Sequence, residues 1–242
     1  MKKLLAYVLS LVLVIFIFPT AALATESRRI DTVSVTEING VRTVKSSDHI
    51  NEYTVINDTN NHTMTVAFKN IQTGEVTSSS MSTSSAVGLS SYILPFAMNI
   101  GESTSNGFEY SITTGTKNEW YLVRPMMESE GDGRYYFKCW ENKSNSDYLE
   151  IFRTNVDDLS LKETELITEG GAAAFADFVT GIALGINVLS GGTLTIGYIA
   201  AVVVAAGLTG NAAVLAEAVG DLCNSCLLAI ENVWNKTDNR HF

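Results

Sequence analysis

The sequence predicts an α+β fold: an N-terminal antiparallel β meander or sandwich, followed by a C-terminal Gly/Ala-rich hydrophobic helical hairpin and an amphipathic helix. Three observations carry this expectation. Residues 25–158 alternate apolar and polar side chains in short runs, separated by turn-forming clusters about ten residues apart. Residues 178–216 form a run of thirty-nine residues without Asp, Glu, Lys or Arg. Beyond residue 211 the apolar side chains recur every three or four positions, the period of a helix with one wet face.

The first 24 residues read as a signal peptide. Lys2 and Lys3 give a basic start, residues 4–18 an apolar core, and Pro19 a break. Ala22-Leu23-Ala24 is a small-x-small cleavage pattern, so the mature chain is expected to begin at Thr25 and to be secreted. An uncleaved anchor competes with this, but the apolar stretch is short for a membrane span.

The β-rich domain is assigned to residues 25–158. Its strands are read at residues 32–35, at 42–44 after the Asn39-Gly40 hairpin signal, at 53–56 and at 64–68. Gly74 closes a turn before residues 75–77. Residues 78–91, rich in Ser and Thr, fit either an exposed linker or a wetted edge strand. Further strands are expected at residues 108–113, 119–123, 134–140 and 148–153. Residues 128–133 form an acidic turn that lacks EF-hand ligand spacing. On the strand at 134–140, alternation places Tyr135, Phe137 and Cys139 on one face and Tyr136 and Trp140 nearer the other. The first set reads as core; the second is either a second packed face or a surface for sugars or lipid headgroups.

Residues 159–171 are acidic and end in Gly170-Gly171, the pattern of a linker, which suggests a β part that folds without the tail. Residues 172–242 make up the hairpin plus the amphipathic helix. Limb one, residues 172–189, carries Gly181-x-x-x-Gly185, and limb two, residues 194–208, carries Ala201-x-x-x-Ala205. Small residues one turn apart let a second helix approach closely, in a membrane or in a core. Gly191 and Gly192 mark the turn between the limbs. Asn211 is the expected N-cap of the last helix.

The chain carries a formal net charge of −10; removing residues 1–24 takes away two lysines and no acid, leaving −12. Such a balance excludes electrostatic recruitment to nucleic acid and to anionic membranes. Three cysteines, Cys139, Cys223 and Cys226, lie in a chain bound for a disulfide-permitting compartment. The odd count leaves one over, and a bridge from the C-x-x-C pair to Cys139 is one alternative beside free thiols on the apolar side of a helix. With three histidines and no second Cys pair, neither metal nor cofactor is expected. No nucleophile elbow, metal-binding helix motif or phosphate loop occurs, so no catalytic residue is assigned and the chain is not expected to be an enzyme.

One resemblance adds to this. Val41-Arg42-Thr43-Val44-Lys45, Asn51-Glu52-Tyr53-Thr54-Val55, Thr73-Gly74-Glu75, the run Thr113-Thr114-Gly115-Thr116-Lys117-Asn118-Glu119-Trp120 and Arg134-Tyr135-Tyr136-Phe137-Lys138 precede the Gly/Ala-rich tail. Together they resemble the geobacillin-type large secreted bacteriocins of Gram-positive bacteria over most of the mature chain. The resemblance implies an exported antibacterial protein that antagonises related bacteria. Its partner would be the target-cell envelope or membrane, beside a cognate immunity protein. It brings no cofactor and no site residues. The expected activity is membrane-directed, through the hairpin; the alternative is a secreted structural or binding protein in which the hairpin is a buried core.

Overall fold

The computed structural model describes residues 32–83, 97–98, 107–125, 134–188, 193–238 and 240–241. The expected signal peptide, the hairpin turn with Gly191 and Gly192, the acidic turn at 128–133 and residues 84–91 lie outside the described residues.

Five strands pair in sequence order as an antiparallel meander: β1 (Thr32–Ile38), β2 (Val41–Ser47), β3 (Asn51–Asp58), β4 (Thr63–Asn70) and β5 (Val76–Ser82). The first turn follows from the Asn-Gly pair. Asn39 and Gly40 take φ of 50° and 76°, and Ile38 pairs with Val41, so a two-residue loop of mirror-image type matches the strand twist. Register lines up Val44, Val55 and Val66 across β2, β3 and β4, with Tyr53 opposite Phe68. These side chains and Met64 form one buried face.

The second sheet runs β10-β9-β8-β7-β6, from β6 (Ala97–Met98), β7 (Phe108–Thr113), β8 (Glu119–Pro125), β9 (Arg134–Trp140) and β10 (Arg240–His241). Its inner face buries Phe108, Trp120, Leu122, Phe137 and Cys139.

Among the described residues there are four helices: α1 (Ser146–Gly170), α2 (Ala172–Val188), α3 (Ile196–Ala205) and α4 (Gly210–Lys236). Here two expectations are corrected. Residues 148–153, read as a strand, and residues 159–171, read as a linker, belong to α1 and to the glycine that ends it. The buried positions of α1 are Leu149, Phe152, Val156, Leu159, Glu163 and Leu166, alternating steps of three and four. Those of α4 include Ala212, Ala216, Val219, Cys223, Cys226, Ile230 and Val233, with the same alternation. Two stripes of this period pack as an antiparallel coiled-coil-like pair. At one end the Asn145 amide donates to Thr237 Oγ1 at 3.0 Å; at the other, Gly170 lies against Leu208 and Ala212. A helix N-cap was expected at Asn211; Thr209 takes that position, in extended backbone.

The hairpin limbs sit between layers. On one side α3 packs on β2 and β3, and α2 on β4 and β5. On the other, α4 meets α3 where Gly220 abuts Ile199. The far half of the α1–α4 pair holds the second sheet through Phe108–Phe152 and Phe137–Trp234 ring contacts, with centroids 6.5 and 5.1 Å apart.

Candidate functional site

The uncharged hairpin is the feature the sequence singled out, and its seat is built from both sheet and helix. Gly181 and Gly185 face α3. A Cβ built on Gly181 would lie 2.4 Å from Val202 Cγ1, and one on Gly185 would lie 2.2 Å from Tyr198 Cε1. Only glycine permits this approach. Tyr198 fills the space, and its hydroxyl donates to the Gly181 carbonyl at 2.5 Å. Being fully buried, the Tyr198 phenol is pushed well above its ordinary pKa. Its ring also packs on Phe68 and Tyr53 of the first sheet, with centroids 4.9 and 5.8 Å away. Ala201 and Ala205 are completely buried. Eight of the ten residues of α3 are buried, so this helix is apolar all round.

Polar contacts fix both rims of the seat. At one, Asn57 Nδ2 donates to Asp177 Oδ2 at 2.8 Å and to the Ala205 carbonyl at 3.2 Å. Arg42 Nη1 donates to the Val204 carbonyl at 3.3 Å. Burial raises the Asp177 carboxyl above its ordinary value, against the opposing help of Asn57, His62, Thr83 and Arg42. At the other rim, Asn224 of α4 clamps Leu194, accepting from its N–H at 2.7 Å and donating to its carbonyl at 2.8 Å. Thr195 caps α3 by accepting from the Tyr198 N–H. Beneath the start of α3, Tyr53 donates its hydroxyl to Asp48; burial first, then this bond, pushes Tyr53 up to about 12. For Asp48 burial acts upward, yet the bonds from Tyr53, Asn51 and Ile50 hold it below the usual carboxylate range.

The buried Ser46 Oγ and Asn57 Oδ1 make no hydrogen bond, so the seat is not polar-saturated. Asp177, Asn57, Arg42 and Tyr198 carried no expected role in seating the hairpin. The one available signal was Asp177 itself, the last charge before the uncharged run.

All three cysteines are free and buried. Cys139 adjoins Thr237, the C-cap of α4, whereas Cys226 lies eleven residues earlier on that helix, about 16 Å away along its axis. That separation is beyond disulfide reach, which removes a bridge to Cys139 from this fold. Cys223 and Cys226 face Glu163 across the α1–α4 seam; burial first, then that carboxylate, pushes both thiols up. No group of three His, Cys, Asp or Glu side chains suited to a metal occurs among the described residues.

Comparison with protein-family models, with curated proteins and with solved structures finds no match.

Proposed function

We propose that this chain is a secreted antibacterial protein acting at the envelope of related Gram-positive bacteria, and that it carries its α2–α3 hairpin sheathed until it reaches the target. The observation that supports this is a helix apolar on every side, held in a pair without one formal charge between residues 178 and 216. A helix apolar on every side suits a segment that enters lipid, where charge is costly, as well as a core closed in by neighbours. Asp177 lies within the first turns of α2 rather than at its centre. Lengths limit how it acts. α2 has 17 residues and α3 has 10, about 25 and 15 Å, against a hydrocarbon core of about 30 Å. The undocked hairpin therefore wedges into one leaflet rather than spanning. α4 is the one described helix long and apolar enough to cross, yet its apolar stripe is committed to α1.

A second reading, a secreted structural or binding protein with the hairpin as permanent core, is favoured by the Gly181, Gly185 and Tyr198 fit and by the Asn224 clamp. A tether separates the two. A Cβ on Gly197 would lie 3.4 Å from Ser46 Oγ, close to the separation a disulfide needs. Ser46→Cys with Gly197→Cys should bolt α3 to β2 when oxidised. Killing of related cells and dye release from vesicles are expected to vanish in the oxidised protein and to return on reduction. Full activity while bolted would leave the hairpin as core only, and inactivity of the parent protein would refute the antibacterial reading itself.

A further inference from the structure

We propose that the protein forms a two-fold dimer by antiparallel pairing of its β1 edges, across the segment Thr32-Val33-Ser34-Val35-Thr36. The segment reads the same in both directions. Antiparallel pairing about a two-fold axis sets each residue against the one equally far from the centre on the partner strand, so a palindrome sets like against like. With the axis at Ser34, Val33 faces the partner's Val35 and Ser34 faces the partner's Ser34. The pairing is independent of any antibacterial activity.

The edge is open and unguarded. β1 ends the first sheet, and no strand pairs with its other side among the described residues. It pairs with β2 in unbroken register, without a bulge, and residues 32–36 contain neither charge nor proline. Bulges, charges and prolines are the devices that keep sheet edges apart. Hydrogen-bonding direction follows from the first turn. The pair flanking a two-residue loop, Ile38 and Val41, exchanges both bonds, so the even-numbered residues of β1 turn their N–H and C=O groups toward β2. Val33 and Val35 turn theirs toward the open side. The side chains agree with this. Val35 lies opposite Val44 and Val33 opposite Ser46, both buried, so the two valines stand on the inner face of the sheet. Yet Val33 is 39% and Val35 48% exposed, because α3 sits on β2 and β3, one strand in from the edge. The partner's valines would continue that apolar face.

Other pairings fit worse. Only a slip by an even count keeps the inner faces matched. Such a slip sets Val33 against the partner's Glu37 in one direction, and Val35 against the partner's Asp31 in the other. With the axis at Ser34, those two acids meet only beyond the paired segment, and their like charge ends the pairing there. Pairing β1 with β5, the opposite edge, would set a valine against Ser79, which shares the inner face with Val66. Repeated head to tail, that contact gives an open filament rather than a closed dimer.

A one-strand interface is small and each copy carries a net charge of −10, so the dimer is expected to dissociate in the micromolar range. The full protein is followed by sedimentation velocity from nanomolar to near-millimolar concentration, and dimers should appear as concentration rises. Val35→Lys should weaken them by about tenfold or more, because a lysine guards the edge. Its melt in dilute solution should match the parent, since that side chain is half exposed. Ser34→Cys is an independent variant. Ser34 and the partner's Ser34 form a non-hydrogen-bonded pair with Cα atoms about 4.5 Å apart, within disulfide reach. The native cysteines are buried, so mild oxidation should turn Ser34→Cys into a covalent dimer, while Ser78→Cys on the exposed β5 edge stays monomeric. The pairing is overturned by a parent that stays monomeric throughout, by undiminished association of Val35→Lys, or by Ser34→Cys linking no faster than Ser78→Cys.

Discussion

Replacing Gly185 by alanine adds one methyl group where the two limbs of the hairpin touch. That carbon would stand 2.2 Å from Tyr198 Cε1 and 2.7 Å from Leu194 Cδ2, and Tyr198 is fully buried. The ring must move, and its movement breaks the bond to the Gly181 carbonyl. Overpacking of this kind costs about 1–3 kcal/mol. Leaving a buried hydroxyl and carbonyl without partners adds about 1–3 kcal/mol. Alanine in a helix interior returns about 0.5–1 kcal/mol over glycine. The net loss is about 1–5 kcal/mol, which for a chain of this size lowers the melting temperature by about 2–20 °C. Thermal unfolding followed by circular dichroism reads this directly. Gly115→Ala is the control, because its Cβ meets only the Lys117 carbonyl, at 3.4 Å, in an exposed turn. If Gly185→Ala melts with the control, the hairpin is not seated as described, and both the sheath and the buried-core readings lose their basis.

Three further outcomes are expected. The Asp177 carboxyl is raised by burial, so its contribution to stability is fully present below about pH 3.8 and is lost as pH rises through the folded-state value. Asp177→Asn should therefore match the parent in acid and melt higher at neutral pH, and a gap that widens toward acid would contradict the burial argument. The thiols, with Cys139 pushed up to about 11 mainly by burial and the other two also raised, should ignore an aromatic disulfide reagent until unfolding. All three should then react, and an internal bridge seen by intact mass would count against the fold. A chain ending at Gly170 should lose cooperative unfolding, because the buried stripe of α1 has α4 as its partner; an intact melt for that fragment would restore the independent β domain expected from composition.

β2, β3 and β4 were legible because each buries alternate side chains. Val44 stands between Thr43 and Lys45, Val55 follows Thr54 and Val66 follows Thr65, and Asn39-Gly40 fixes its turn by backbone chemistry alone. α1 was not legible for a local reason. Tyr148 to Arg153 alternates apolar and polar over a window too short to tell period two from period 3.6, and Glu163 interrupts the apolar stripe further on. The limbs of the hairpin were visible as composition, but not what covers them. Arg42 and Val204 are 162 residues apart, and no local pattern encodes such a pairing. On β9, alternation in the sequence separates Tyr136 and Trp140 from Phe137 and Cys139, and the structure keeps that division.

The first sheet is contiguous in sequence, and this sets an order of events during synthesis. Its strands pair only with their immediate neighbours, so the meander forms from short loops and forms early. Its apolar face must then wait for helices that emerge more than a hundred residues later, as the 120-residue separation of Asn57 and Asp177 records. Closing so long a loop is slow compared with hairpin formation, though doubling its length would add only about 0.6 kcal/mol. For that interval the nascent chain presents a row of Val, Phe and Tyr to its surroundings, on a sheet with open edges among the described residues. The rate at which the C-terminal third arrives therefore governs how much protein aggregates. Slowing synthesis after residue 83 should lower the yield of soluble protein far more than the same pause placed before residue 32.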